Sequence, residues 1–382
     1  MSAGSVAALL LAAVSCNPGQ ETTAREFVWS EDETLSGGFT SAYVSPNNAR
    51  SLYVEASGGV QVVFTGNTDF YYDIFYARRT GGGWGKREQV SFTGATSSTP
   101  CLAADSAGNP CVAWSDGDPG QYDVLLSRRK GGTWTTAENV TRDSTSSLFP
   151  AMIGGADGAL HLVWEDRWGD KSRVLYACSS DSGWSEPVCL SREGTEATAP
   201  AIAAASGGKV CAVWAEREEA RQNVMYRELS DGGWRGPVRL NDGGHSGARP
   251  SVAAGPRGSV HVVWESHRYE KPSVCYRQKR GRRWQSEVEL TDGRSRAFRP
   301  AVAAGPRGSV YVAWYDDRWG VPQAALRVAE GDRWGLVSRV NQSSAPTYFV
   351  TIEVDRRGDA HLLFQDRRRG TYDVYYKKGA IR

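Results

Sequence analysis

Tryptophan recurs in this chain at a fixed interval of 50 residues. Trp114, Trp164, Trp214, Trp264 and Trp314 each end a short apolar run, and Phe64 and Phe364 hold the same place at the two ends. A second series, Trp84, Trp134, Trp184, Trp234, Trp284 and Trp334, keeps the same interval. Eleven of the 14 tryptophans belong to these two series, so most of them are architectural. A fixed internal period outweighs the two or three domains that 382 residues would otherwise suggest. A unit of 50 residues is too small to bury its own apolar face, so the units must stack on one another.

One repeat, taken from Pro300, contains four strand-like pieces. Residues 300–304 (P-A-V-A-A) are small and apolar, and the turn G-P-R-G follows. Residues 309–314 (S-V-Y-V-A-W) alternate with the period of two expected of a strand. A charged loop, Y-D-D-R-W-G, leads to residues 323–329, and E-G-D-R turns into a last strand that begins at Trp334. Four short strands joined by hairpin turns make one twisted antiparallel sheet, and the spacing predicts an all-β, seven-bladed β-propeller. Paired alanines at 103–104, 203–204, 253–254 and 303–304 fit the crowded axis. Residues 37–49 are irregular and lead into the first blade. Residues 26–36 match the last strand of a later repeat: Trp29-Ser30-Glu31 aligns with Trp184-Ser185-Glu186. The final repeat stops one strand short, so the N-terminal strand is expected to complete the last blade and close the ring.

Residues 6–15 form one short apolar run, too short to span a bilayer and suited to a signal peptide. Ala13-Val14-Ser15-Cys16 resembles the bacterial lipoprotein box, which implies export and lipidation of Cys16. The expected organisation is a leader at 1–16, a polar tether at 17–25 and a single propeller domain at 26–382. The mature chain is then expected in the periplasm or at the cell surface as a monomer, either anchored, with membrane contact through the lipid only, or secreted free with Cys16 incidental. Lys plus Arg number 45 against 43 Asp plus Glu, and the signs are interspersed. Taken over the whole chain, this gives no electrostatic case for nucleic acid or for an anionic membrane surface. No C-x-x-C pair is present, and Cys111 and Cys211 share a repeat position with His, Tyr and Gln. The cysteines read as small buried hydrophobes, with hairpin bridges Cys101/Cys111 and Cys178/Cys189 as the alternative. His161, His261 and His361 share one repeat position in alternate blades and cannot converge on a metal at ~2 Å. No metal site or cofactor is expected, and no phosphate-binding glycine loop occurs.

Three features resemble the sialidase superfamily and its Asp-box relatives. They are V-W-E-D-R-W-G at 163–169, echoed at 313–320 and 363–370; Y-D-V at 122–124 and 372–374; and the turns 179–184 and 230–234 before a ladder tryptophan. The turns resemble a shortened Asp box, a structural feature remote from the active face in that family. The chain departs from the family pattern in having seven units where family sialidases have six blades, and in lacking their Arg-Ile-Pro motif.

Strand alternation sends the charged loops to one face of the disc. That face is expected to bind ligand through Asp166, Arg167, Trp168, Arg249, Arg299, Asp316, Asp317, Arg318, Trp319, Asp366 and Arg367. Arginines suit a carboxylate, and a loop tryptophan beside polar groups suits a sugar face. An Asp and an Arg recurring at one repeat position equally suit inter-blade pairs that set the stack. The expected function is binding of a glycan or a protein without catalysis, and no catalytic residue is assigned. The alternatives are an exo-sialidase-type hydrolase, which the resemblance implies would need three arginines, an acid and a Tyr–Glu pair in one pocket, and a structural scaffold.

Overall fold

A computed structural model describes residues 27–47, 50–68, 71–205, 207–230, 233–242 and 244–381. The leader, Cys16 and the tether lie outside the described residues. Seven antiparallel sheets follow one another along the chain. Blade 5 is representative, with an innermost strand Gly247–Ala254, a second strand Val260–Ser266 and a third strand Ser273–Arg280. Its outermost strand is broken into Arg283–Trp284 and Val288–Glu289, both paired with the third strand.

Blade 7 takes its innermost three strands, Thr347–Val354, Ala360–Asp366 and Asp373–Ile381, from the end of the chain. Its outermost strand is Phe27–Trp29, with Phe27 opposite Ile381 and Trp29 opposite Gly379. Glu33–Thr34 pairs with the same third strand. The ring is thus closed by the N-terminal strand, as the unmatched segment 26–36 requires.

The inner tryptophans at 114, 164, 214, 264 and 314 are fully buried. The indole N–H groups of Trp114, Trp214 and Trp314 donate to Asp116, Glu216 and Asp316 at 2.8–2.9 Å. The outer tryptophans pack between blades. Trp134, Trp234, Trp284 and Trp334 set their edges against Tyr76, Tyr176, Tyr226 and Tyr276 of the preceding blade, with centroids 4.9–5.2 Å apart. Trp84 makes the same contact with Tyr376 at 5.2 Å, across the closure between blades 7 and 1. Edge-to-face packing of this kind adds about 0.5–1.5 kcal/mol per pair beyond area burial.

The three repeat-phase histidines hold those tyrosines. Nδ1 of His161, His261 and His361 lies 2.7–2.8 Å from the hydroxyl of Tyr176, Tyr276 and Tyr376. All six described cysteines are free thiols, and Cys111 and Cys211 are buried at the same repeat position. No described helix is long and apolar enough to cross a membrane.

Candidate functional site at the axial pocket

Each innermost strand of blades 2 to 7 carries a register shift where one residue enters the left-handed region. These residues are Thr99, Phe149, Ala199, Arg249, Arg299 and Phe349, with φ between 48 and 54°. A non-glycine residue there is strained by about 1–3 kcal/mol, and a bulge re-aims its side chain. In three of them the freed backbone N–H is taken up by the preceding blade. Ser115 accepts from Phe149 at 3.1 Å, Glu165 from Ala199 at 3.2 Å and Glu265 from Arg299 at 3.3 Å.

Four of the bulge residues, Phe149, Ala199, Arg249 and Arg299, line one pocket of about 400 Å³, with Glu165, Gln222 and His267. Blade 1 supplies Pro46 and Asn47 to the same pocket. In that blade eight residues, 44–51, lie between Tyr43 (opposite Thr65) and Leu52 (opposite Val62). Blade 2 has three residues, 99–101, between the corresponding pairs. The extra length crosses the axis: the Pro46 carbonyl accepts from the Arg299 side chain in blade 6, and Asn47 Nδ2 donates to the Pro150 carbonyl in blade 3 at 3.2 Å. The pocket therefore lies at the axis, with walls from blades 3 to 6 and a plug from blade 1.

The electrostatics of the pocket are uneven. Glu265, with its side chain only 2% exposed, meets Arg249 at 2.9 Å and His267 at 3.3 Å. Burial opposes its ionisation, but the His267 hydrogen bond and the Arg249 charge outweigh that and hold its carboxyl below the usual value. Glu165 goes the other way, because burial raises it more than the Ala199 N–H and the Ser172 hydroxyl lower it. Arg299 is half-buried, and burial, then the Arg249 charge, depress it below the usual arginine value. Its side chain meets the Pro46 carbonyl, the Phe349 ring at 4.8 Å and Tyr315, and forms no ion pair with a described carboxylate.

Of the eleven residues expected to bind ligand, only Arg249 and Arg299 line this pocket. Asp166, Asp316 and Asp366 are each fully buried beneath the face. Asp166 binds Arg173 at 2.8 Å, Asp316 binds Arg318 at 2.8 Å, and Asp366 binds Arg368. These pairs close within a blade, not between blades. Arg318 is thereby occupied, and Asp317 accepts the backbone N–H of Arg296 at 2.7 Å. Arg167 and Arg367 are exposed on the loop face outside the pocket. Trp168 is 67% exposed, with Arg173 stacked at 4.8 Å, whereas Trp319 is held between Arg318 and Arg339, each at 5.6 Å. Tyr269 pairs with Glu289 at a separate hollow, away from the axis. Glu165, Glu265, His267 and the Pro46–Asn47 plug were not anticipated. Among the described residues no group of three or more His, Cys, Asp or Glu is arranged to hold a metal.

No family model and no curated protein matches the chain. Solved structures do. An ulvan lyase of polysaccharide lyase family PL25, bound to -[GlcA(1-4)Rha3S]-, is 9% identical with a TM-score of 0.69, over 91% of this chain and 95% of that one. A fungal alcohol oxidase of the AA5 family, in complex with copper, is 11% identical with a TM-score of 0.55, over 92% and 76%. An intramolecular trans-sialidase from Ruminococcus gnavus is 13% identical with a TM-score of 0.49, over 91% and 96%, too distant to carry an argument. Lyase and oxidase chemistries on one architecture mean that the likeness is one of fold.

Proposed function

We propose that the axial pocket binds the carboxylate or sulfate of an acidic saccharide. The reading rests on Arg299, a half-buried cation beside Arg249 that forms no ion pair with a described carboxylate, Glu265 acting on it only at longer range. Two guanidinium groups brought to one concave site suit a planar or tetrahedral oxyanion. The solved propeller of similar fold bound to -[GlcA(1-4)Rha3S]- supports the saccharide class. The test is an array of carboxylated, sulfated and neutral glycans probed with residues 26–382, beside Arg249→Met and Arg299→Met. Acidic glycans are expected to bind, and each variant to lose binding. Retention of neutral glycans alone, or unchanged binding by Arg299→Met, overturns the reading.

One observation favours a second reading, cleavage of the bound saccharide. Glu165 lines the pocket and its carboxyl is pushed up by burial, which suits a proton donor, while Glu265 lies beneath the wall behind Arg249 and His267. Under this reading Glu165 carries the proton, while Glu265 stays ionised and positions Arg249 and His267. Release of unsaturated uronate or new reducing ends, abolished by Glu165→Gln, is the expected result; no product from any glycan that binds leaves the non-catalytic reading. A sialidase-type hydrolase has less support, because only two of the named arginines reach the pocket.

Export and lipidation at Cys16 belong to the same proposal. Incorporation of labelled palmitate that disappears in Cys16→Ser is the check.

A further inference from the structure

The face opposite the axial pocket carries a sector of arginines that form no ion pair with a described residue. The turns joining first and second strands read G-P-R-G in blades 5 and 6 and D-R-R-G in blade 7. They place Arg257, Arg307, Arg356 and Arg357 on three consecutive blades, all exposed. None of the four forms an ion pair with a described residue. Arg282 and Arg283 extend the sector on the outer turn of blade 5. Hollows of about 500 and 370 Å³ flank the blade 7 turn, and Arg356 and Arg357 line both. The neighbouring acids are mostly engaged. Glu55 takes two bonds from Arg78 at 2.6 and 2.7 Å, Asp355 accepts the N–H groups of Arg357 and Asp359, and Asp359 meets Lys378 at 2.8 Å. Glu330 also borders the sector. The corresponding turns of blades 2 to 4, residues 105–109, 155–159 and 205–209, contain no arginine.

The chain enters the propeller beside this sector. The third strand of blade 7 ends on this face, and Phe27 lies opposite its last residue, Ile381. The Phe27 ring is 6.3 Å from that of Tyr311, which lines the hollow holding Arg307, Arg356 and Arg357. Ten residues, 17–26, separate Cys16 from Phe27. Even fully extended, the eleven steps from Cys16 to Phe27 span no more than about 40 Å. A lipid on Cys16 would therefore join the domain at this face, and the tether would have to run back along the blade to bring the pocket face to the bilayer.

We infer that the arginine sector is a docking surface for an anionic phospholipid bilayer, which turns the axial pocket outward from the membrane. Basic residues near an anionic surface strengthen partitioning by about fivefold each, and salt screens the effect. The inference is independent of the saccharide reading and can be tested without the lipid.

Residues 26–382 contain every blade and the closing strand, so this fragment keeps the whole ring. It is floated with phosphatidylcholine vesicles, with and without phosphatidylglycerol. Binding is expected only with phosphatidylglycerol, with release by salt. The fourfold variant Arg257→Gln, Arg307→Gln, Arg356→Gln, Arg357→Gln is expected to bind about a hundredfold more weakly or worse. Arg356→Gln and Arg357→Gln alone serve if the fourfold variant does not fold. Arg299→Met, which disables the pocket, is expected to float as the parent does, so the two proposals fail separately. No flotation at low salt, or equal flotation by the arginine variants, overturns the inference. Capture of a soluble sulfated glycan in place of vesicles, retained by Arg299→Met and lost in the fourfold variant, also overturns it.

Discussion

Glu265 accepts the backbone N–H of Arg299 at 3.3 Å across the boundary between blades 5 and 6, while its other oxygen meets the Arg249 side chain at 2.9 Å. One carboxylate thus fixes the backbone of one pocket arginine and neutralises the other. Glu265→Gln keeps an acceptor and removes the charge, at an expected cost of about 1–3 kcal/mol near neutral pH. The native carboxyl is depressed, so its contribution is present above the ordinary glutamate value and is lost as pH falls through the native one. Denaturant titrations should show the gap between parent and variant closing in acid. A gap that stays constant contradicts the assignment.

Glu165 has the opposite sign. Its native carboxyl is raised, chiefly by burial, so its stabilising state is the protonated one. That contribution is complete below the ordinary value of about 4.3 and is lost as pH rises through the native value. Glu165→Gln can still accept from Ala199, and should melt at or above the parent near neutral pH. The advantage should vanish in acid. A lower melting temperature at neutral pH would show that the charged form is what the fold needs.

His261 is held down to about 4 by burial, and His361 is also depressed. Both stabilise the fold above the ordinary histidine value of about 6.5, and that stability is lost as pH falls toward the native values. Blade 1 already carries Gln61 at this repeat position. The double variant His261→Gln, His361→Gln should be less stable near neutral pH by about 1–2 kcal/mol, through loss of the tyrosine bonds. Its melting temperature should also vary less between neutral pH and the mildly acidic range.

A Cβ added at Gly379 would stand 2.5 Å from the Trp29 indole. The contact is with the closing strand, so Gly379→Ala must displace Trp29. Overpacking of this kind costs about 1–3 kcal/mol. Amide hydrogen exchange should rise first in Phe27–Trp29 and in its partners 379–381. Unaltered protection there would mean that the closing strand tolerates the clash.

The two loop tryptophans should separate. Trp168 is exposed, and Trp168→Ala should change stability by no more than about 0.5 kcal/mol. Trp319 stacks with two arginines and packs on the core shared by blades 5 and 6, so Trp319→Ala should cost about 1–3 kcal/mol. Thermal melts of both decide it, and equal losses would contradict the distinction.

The architecture was legible because its determinants repeat. The 50-residue spacing specifies the blades, and the match of Trp29-Ser30-Glu31 to Trp184-Ser185-Glu186 specifies the closure. The site was only half legible, for the same reason. Asp166 and Asp316 recur and attract notice, yet recurrence at that position reflects their buried pairing within the blade. The residue just before them faces the other way on the strand and varies from blade to blade: Thr65, Ser115, Glu165, Ala215, Glu265, Tyr315, Gln365. Variation inside a repeat was the usable signal, and the bulge positions Thr99, Phe149, Ala199, Arg249, Arg299 and Phe349 show it too. The Pro46–Asn47 plug belongs to no repeat, so no periodic argument could place it.

The pairing of Phe27 with Ile381 also sets an order of events on the ribosome. The strand made first waits for the strand made last. Until Asp373–Ile381 has emerged, Phe27–Trp29 lacks its partner and the seventh sheet is unfinished. A chain arrested earlier presents unpaired strand edges, the features that recruit other chains and mark incomplete products for degradation. Pairing at such sequence separation is slow to form. Closure of the last blade therefore cannot precede synthesis of Asp373–Ile381.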